Sequence, residues 1–193
     1  MPSTLQIIIG STRPGRVGPA VAEWFTNLAQ LDGTFDVELI DLARAGLPLL
    51  DEPRHPRLRE YTNDHTKAWS RTIERADAYV FVHPEYNFGV NAALKNALDY
   101  LLHEWRDKPA GLVSYGGVSG GLRAAQMLKQ IVSALGLVVV PASVTVPFVS
   151  EHLDENGRFQ ATPIMTESAH AMLGELARLD QALRAIRAPS VSA

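Results

Sequence analysis

Three short loops carry groups suited to holding an anionic, planar ligand: Gly10-Ser11-Thr12-Arg13-Pro14-Gly15-Arg16, Pro84-Glu85-Tyr86-Asn87-Phe88-Gly89 and Ser114-Tyr115-Gly116-Gly117-Val118-Ser119-Gly120-Gly121. The first joins hydroxyls and two arginines at the start of a helical pattern, where free amide donors and the helix dipole favour a phosphate. The second sets an aromatic ring beside amide and carboxylate groups. The third exposes bare backbone that a flat ligand can approach closely. Phosphate, ring and edge together imply a mononucleotide.

Each loop follows a short apolar run rich in β-branched residues and precedes helical periodicity. Residues 5–10 read as a strand buried on both faces, and from Val17 the apolar positions Val21, Trp24, Phe25 and Leu28 fall at helical spacing. Residues 35–42 alternate at period two, which predicts a second strand near an edge. Pro48, Pro53 and Pro56 among charges make residues 46–60 a surface excursion, before a helix over 63–75. Strand three spans 78–83 and stops at Pro84, and a helix over 91–103 follows. Strand four spans 109–115, and the helix over 122–135 has Met127, Leu128, Ile131 and Leu135 on its core face. Strand five, residues 137–146, leads through a long connection to a helix over 164–186. Five strands alternating with five helices predict an α/β doubly wound parallel sheet with helices on both faces, because parallel neighbours need crossover connections. In such a sheet all three loops lie at the carboxyl ends of strands, where the crevice at a topological switch point binds ligands.

The chain has 193 residues, which predicts one domain over residues 1–193. A hydrophobic fraction of 46% with 20% charged residues is that of an ordinary globular protein. The net charge of −3 comes with scattered lysines and arginines, so the basic stripe of a nucleic-acid binder is missing and a small-molecule partner is favoured. The absence of cysteine excludes disulfides, thiol catalysis and thiolate metal sites. Histidines 55, 65, 83, 103, 152 and 170 show no ligand spacing with a carboxylate, so no metal is expected and each histidine reads as a surface or satisfied position. Residues 1–10 lack the basic start and longer apolar stretch of a signal peptide, and no membrane span stands out. The default location is the cytoplasm, with no membrane partner.

Rival readings of the loops are tested by spacing. Gly10 and Gly15 stand apart as in a nucleoside-triphosphate P-loop, but Arg16 occupies the lysine position and Val17 the magnesium-binding hydroxyl position. A dinucleotide fingerprint requires a second glycine where this loop has Thr12. Gly117-Val118-Ser119-Gly120-Gly121 matches the nucleophile elbow of α/β-hydrolases, which makes a serine esterase at Ser119 an alternative. Its acid and base would be Asp154 or Glu151 with His152 or His170. The short chain and the adjacency of His152 to both acids weigh against it, and it leaves the first two loops without a task.

The ordered motifs Gly10 to Arg16, Pro84-Glu85-Tyr86-Asn87 with Leu94-Lys95-Asn96-Ala97-Leu98-Asp99-Tyr100, and Ser114 to Gly117 with Gly120-Gly121 resemble the flavodoxin-like NAD(P)H-dependent FMN reductases, a family that includes quinone, azo-dye and chromate reductases. The resemblance implies a flavodoxin-like five-stranded fold and non-covalent FMN, with Ser11, Arg13, Arg16 and Val17 around its phosphate. It places Pro84, Glu85, Tyr86 and Asn87 along the ribityl chain and ring, and Ser114, Tyr115, Gly116 and Gly117 on the ring's other side. NADPH or NADH is the implied reductant, a small oxidised molecule the acceptor, and a homodimer or homotetramer the assembly. Many members carry proline and glycine shortly after the Pro-Glu-Tyr-Asn motif, whereas this chain has Phe88-Gly89-Val90-Asn91-Ala92-Ala93.

Residue chemistry agrees with that implication. A chain without cysteine, metal or a credible triad leaves difficult chemistry to a cofactor, so no side chain is expected to act as nucleophile. Backbone amides near Tyr86 and Gly116 are the expected donors to the flavin edge. The competing classes are a flavodoxin-type electron carrier without nicotinamide activity and a regulator that keeps an FMN site without turnover. Carriers are typically strongly acidic, and a net charge of −3 points away from that class.

Overall fold

The computed structural model describes residues 2–187. Five parallel strands form its sheet: β1 (Ser3–Ile9), β2 (Phe35–Asp41), β3 (Ala78–Tyr86), β5 (Pro109–Tyr115) and β6 (Val138–Val146), in the order β2-β1-β3-β5-β6. A two-residue strand, β4 (Gly89–Val90), folds back antiparallel on the end of β3. Helices α1 (Gly18–Asp32) and α6 (Pro163–Arg187) cover one face of the sheet. Helices α3 (Asp64–Glu74), α4 (Ala92–Asp99) and α5 (Leu122–Ala134) cover the other, and a one-turn helix, α2 (Leu42–Ala45), follows β2.

Strand alternation sorts the core. Leu5, Ile7 and Ile9 of β1 with Val80 and Val82 of β3 face Val21, Phe25, Met172 and Leu176. Tyr79 and Phe81 of β3 face Trp69, Leu98, Trp105 and Leu128 on the opposite side. Both sides of β1, β3 and β5 are therefore buried, as their continuous apolar runs require. β2 is an edge strand with exposed Leu39, in keeping with its period of two.

Several expected boundaries shift for local reasons. β3 does not stop at Pro84 but continues to Tyr86. Pairing with β1 ends at Val82, whose carbonyl accepts from Gly10 N–H at 2.9 Å, so the proline's missing donor falls beyond the ladder with β1. Asn87 and Phe88 then turn the chain into β4 with positive φ at both residues, adding a hairpin that periodicity did not show. The helix expected over residues 91–103 ends at Asp99, and the following turns still bury Leu101 and Trp105. Met127, expected on the core face of α5, is exposed, because Ala124, Ala125, Leu128 and Val132 form the buried stripe. Residues 46–60 are irregular apart from a 3₁₀ turn at Pro56–Leu58, and Asn96 and Tyr100 anchor the segment through the Pro48 carbonyl at 2.6 and 3.1 Å.

One histidine departs from the expected surface or satisfied positions. His83 on β3 is fully buried, with Nδ1 against the Pro84 carbonyl at 3.2 Å and no partner on Nε2 among the described residues. Burial lowers its pKa from 6.5 to about 4, against the smaller opposing pull of the Pro84 carbonyl and Glu85. Between those values the unfolded chain takes up a proton that the native state refuses, so stability falls as pH drops through the window. The expected loss is about 2 kcal/mol between pH 7 and pH 5. Urea denaturation at the two pH values should show the pH 7 to pH 5 loss of stability smaller by that amount in His83→Gln than in the wild type, and an equal loss in both would contradict the assignment.

Candidate functional site

The loops after β1 and β3 leave the sheet where the strand order reverses, and the loop after β5 lies beside them. Ser11, two residues beyond β1, is fully buried, and its Oγ has no hydrogen-bond partner among the described residues. The Tyr115 hydroxyl, buried at the end of β5, has none either. Both hydroxyls converge on the first residue of α1: a Cβ built on Gly18 would lie 2.4 Å from Ser11 Oγ and 2.6 Å from the Tyr115 hydroxyl. Only glycine permits this approach. Burial pushes the Tyr115 phenol up to about 12 against an opposing pull from the Ser11 hydroxyl, which lies close by without making a hydrogen bond of regular geometry, so Tyr115 is a neutral donor at physiological pH.

The turn that follows is open for an anion. Its one internal backbone hydrogen bond among the described residues runs from Arg16 N–H to the Arg13 carbonyl, at 3.2 Å. No side chain caps α1, where Val17 is the N-cap and a proline occupies the first turn. Uncapped amides at a helix N-terminus, beside buried hydroxyls with no partner among the described residues, are suited to cradle an anion. Arg13 is exposed at its rim. Arg16 is instead bound bidentately to Asp41 at the end of β2, at 2.7 and 2.6 Å, and also donates to the Ser11 carbonyl. Burial works to raise the Asp41 pKa, but the Arg16 hydrogen bonds, the Ala43 N–H and the nearby Arg16 and Arg44 charges together outweigh it and hold the carboxyl below its usual range. The Arg16 charge therefore reaches the cradle already paired. Asn91 braces the loop from the other side by donating to the Gly10 carbonyl at 2.6 Å.

The second and third loops are joined by Glu85. Its carboxylate accepts from Ser119 Oγ at 2.9 Å, Arg123 Nε at 2.7 Å, Arg123 N–H at 3.0 Å and Ala124 N–H at 3.3 Å. Burial works to raise its pKa, but these donors hold it below the ordinary glutamate value. Glu85 thus caps α5 and ties the β3–β4 hairpin to the glycine-rich loop. Pro84 is buried, while Tyr86 and Asn87 are exposed on the hairpin. Ser114 is buried and donates to the Gly120 carbonyl at 2.9 Å, so its hydroxyl closes the third loop. The Gly116 amide, expected as a donor to a ligand edge, already bonds the Val146 carbonyl at 3.2 Å. Gly117 is exposed, and nothing lies within 4 Å of where its Cβ would stand.

This geometry does not favour the nucleophile elbow. Ser119 Oγ faces the Glu85 carboxylate and accepts from Gly121 N–H at 3.3 Å, which makes it a loop clamp. His170 faces Asp32 at 3.6 Å, and the His152 ring packs on Phe159. Three residues missed by motif reading complete the site: Asp41, Asn91 and Arg123. The position of Asp41 at the end of an expected strand could have marked it, whereas Arg123 lies in a helix pattern without a signal.

A parallel β2-β1-β3-β5-β6 sheet, with its loops diverging at the β1/β3 reversal, defines the flavodoxin-like class. Solved structures bear out the fold. The flavoenzyme NAD(P)H:(acceptor) oxidoreductase FerB of Paracoccus denitrificans superposes with a TM-score of 0.68 at 21% identity, covering 95% of this chain and 98% of its own. A Streptococcus pneumoniae flavodoxin gives 0.57 at 13% identity, over 91% and 99% of the two chains. In sequence, residues 4–151 match the family described as NADPH-dependent FMN reductase. An NAD(P)H-dependent FMN reductase of Schizosaccharomyces pombe is 41% identical over 172 residues, or 88% of this chain and 83% of the relative. An FMN-dependent NADPH-azoreductase of Staphylococcus saprophyticus is 30% identical over 142 residues, covering 72% and 73%. The chain belongs to the NADPH-dependent FMN reductase family and is an FMN-dependent NAD(P)H oxidoreductase; the esterase and electron-carrier readings are not favoured.

The Arg16–Asp41 pair should be a measurable brace of the first loop. Asp41→Ala leaves a partly buried guanidinium without its partner and should cost about 2 kcal/mol of stability in urea denaturation. No change in the midpoint would show that the pair contributes nothing.

Proposed function

We propose that the three loops hold FMN with its phosphate in the cradle of Ser11, Arg13 and Val17, and that small oxidised molecules, quinones among them, exchange with NAD(P)H over the exposed hairpin. The observation that carries this reading is the pair of neighbouring buried hydroxyls, Ser11 and Tyr115, with no hydrogen-bond partner among the described residues. A buried donor left unpaired is costly, and a phosphate oxygen at an uncapped helix N-terminus would relieve that cost. The donor set therefore fits the cofactor of the family.

Each residue then has a task. Ser11 Oγ and the Val17 amide donate to the phosphate, with Arg13 adding charge at the rim. Arg16 acts chiefly by holding the loop, since Asp41 already takes both of its terminal nitrogens. Tyr115, kept protonated by burial, supplies a second hydroxyl donor. Pro84, Tyr86 and Asn87 form one wall, and Gly116 and Gly117 the other. Ser114 and Glu85 shape these walls through the Gly120 carbonyl and the α5 N-terminus. When bound, FMN supplies a two-electron centre that takes hydride from NAD(P)H and returns the electrons to the oxidant. For a quinone the sum is NAD(P)H, a proton and quinone giving NAD(P)⁺ and quinol.

The same sheet carries core on both faces, which supports a single domain over residues 1–193. A homodimer or homotetramer is what the family resemblance implies for its assembly. No helix among the described residues is long and apolar enough to cross a membrane. Dependence on NAD(P)H suits a cytoplasmic enzyme.

Titration of flavin-stripped protein, followed by flavin fluorescence, tests the reading. FMN should bind one to one, riboflavin far more weakly, and Ser11→Ala should weaken FMN about tenfold, the worth of one hydrogen bond to a charged group. Equal affinity for FMN and riboflavin would contradict a phosphate cradle.

A further inference from the structure

The β3–β4 hairpin carries a residue whose backbone and side chain make opposite demands. Phe88 is the second central residue of a two-residue turn, and both it and Asn87 have positive φ, 68° and 49°. Turns of this hand favour Asn followed by Gly, and a bulky side chain with φ in this range is strained. No burial compensates for the strain, because Phe88 is 69% exposed. The phenyl ring is nevertheless held in one place. The Arg123 guanidinium lies over one face, 4.0 Å from the ring centroid, and Glu85 fixes that guanidinium at 2.7 Å. Among the described residues no aromatic ring or second cation packs on the Phe88 ring, which leaves a face of it open to solvent.

We infer that Phe88 is a specificity-determining residue of this chain: an oriented aromatic plate, supported by Arg123 and Glu85, that selects planar aromatic electron acceptors at the entrance between the hairpin and the glycine-rich loop. The inference rests on the FMN reading above, which makes that entrance the acceptor face. Strain kept at a solvent-exposed position where glycine fits better points to work done by the side chain. A cation behind the ring orients it, and a flat, electron-poor quinone stacks on the free face. An oxidant without a ring, such as ferricyanide, gains nothing from the plate.

The test compares Phe88→Gly, Phe88→Leu and Phe88→Trp with the wild type. Menadione binding is measured by calorimetry on oxidised, FMN-loaded protein without reductant. Ferricyanide KM is measured in turnover, FMN affinity by fluorescence, and folding by thermal melting. Phe88→Gly relaxes the turn, so its melting temperature should stay within about 4 °C of wild type or rise. In the Gly and Leu variants menadione should bind about fivefold more weakly, whereas Trp, which keeps a plane, should restore it. FMN affinity and ferricyanide KM should not move in any variant. Unchanged menadione affinity in the Gly and Leu variants overturns the inference, as does a parallel rise in ferricyanide KM, which would mark a general lesion. Failure of the wild type to bind FMN would instead overturn the functional reading on which the inference rests.

Discussion

At the junction of β1 and β3 the chain departs from neighbouring strands toward opposite faces of the sheet. After β1 it enters α1 on one face, and after β3 it passes through the hairpin into α4 on the other. The two loops cannot close over each other, and the first turn of α1 is left without a protein cap. Parallel pairing imposes this, because each strand must be followed by a crossover and the crossovers diverge at one point in the sheet. The remaining features of the carboxyl edge line or brace that opening. Asp41 and Asn91 hold the first loop from β2 and α4, and Glu85 joins the second loop to the third.

Charge at the edge is distributed by the same logic. Arg16 and Arg123 both sit near the opening, and each is paired with a carboxylate held ionised by its donors. Paired in this way they fix geometry more than they add net charge. The groups left for a ligand are neutral hydroxyls, backbone amides and exposed Arg13. Such a cradle suits one compact anion better than a run of phosphates, in keeping with the absence of both P-loop and dinucleotide spacing.

The layered sheet and the order of its loops were legible in the chain because β1, β3 and β5 are buried on both faces and read as unbroken apolar runs. What escaped was set by contacts between distant segments. Pro84 reads as a stop in the sequence because its missing donor is a local fact, whereas the end of pairing with β1 at Val82 is a tertiary one. The hairpin was hidden because Asn87-Phe88 lacks the glycine that usually marks such a turn. Met127 fell on the wrong stripe because alanines, weak in a hydropathy pattern, make the tighter contact with the sheet. The third loop shows the limit of motif matching: Gly117 to Gly121 fits a nucleophile elbow letter by letter, yet Ser119 serves Glu85. Ser11 and Tyr115 were placed at the site by their loops, but that both are buried without partners could be seen only in three dimensions.

The central claim is that a phosphate completes the buried hydroxyls at the start of α1. Phosphorus NMR of FMN bound to the protein, recorded across pH 5 to 8, tests it directly. A free phosphate monoester titrates with a pKa of about 6, so FMN in solution shifts through this range. The account predicts one bound resonance that does not titrate, because the dianion is enclosed by donors and a helix N-terminus. A bound resonance that follows the free titration would place the phosphate in solvent and contradict the assignment of the first loop.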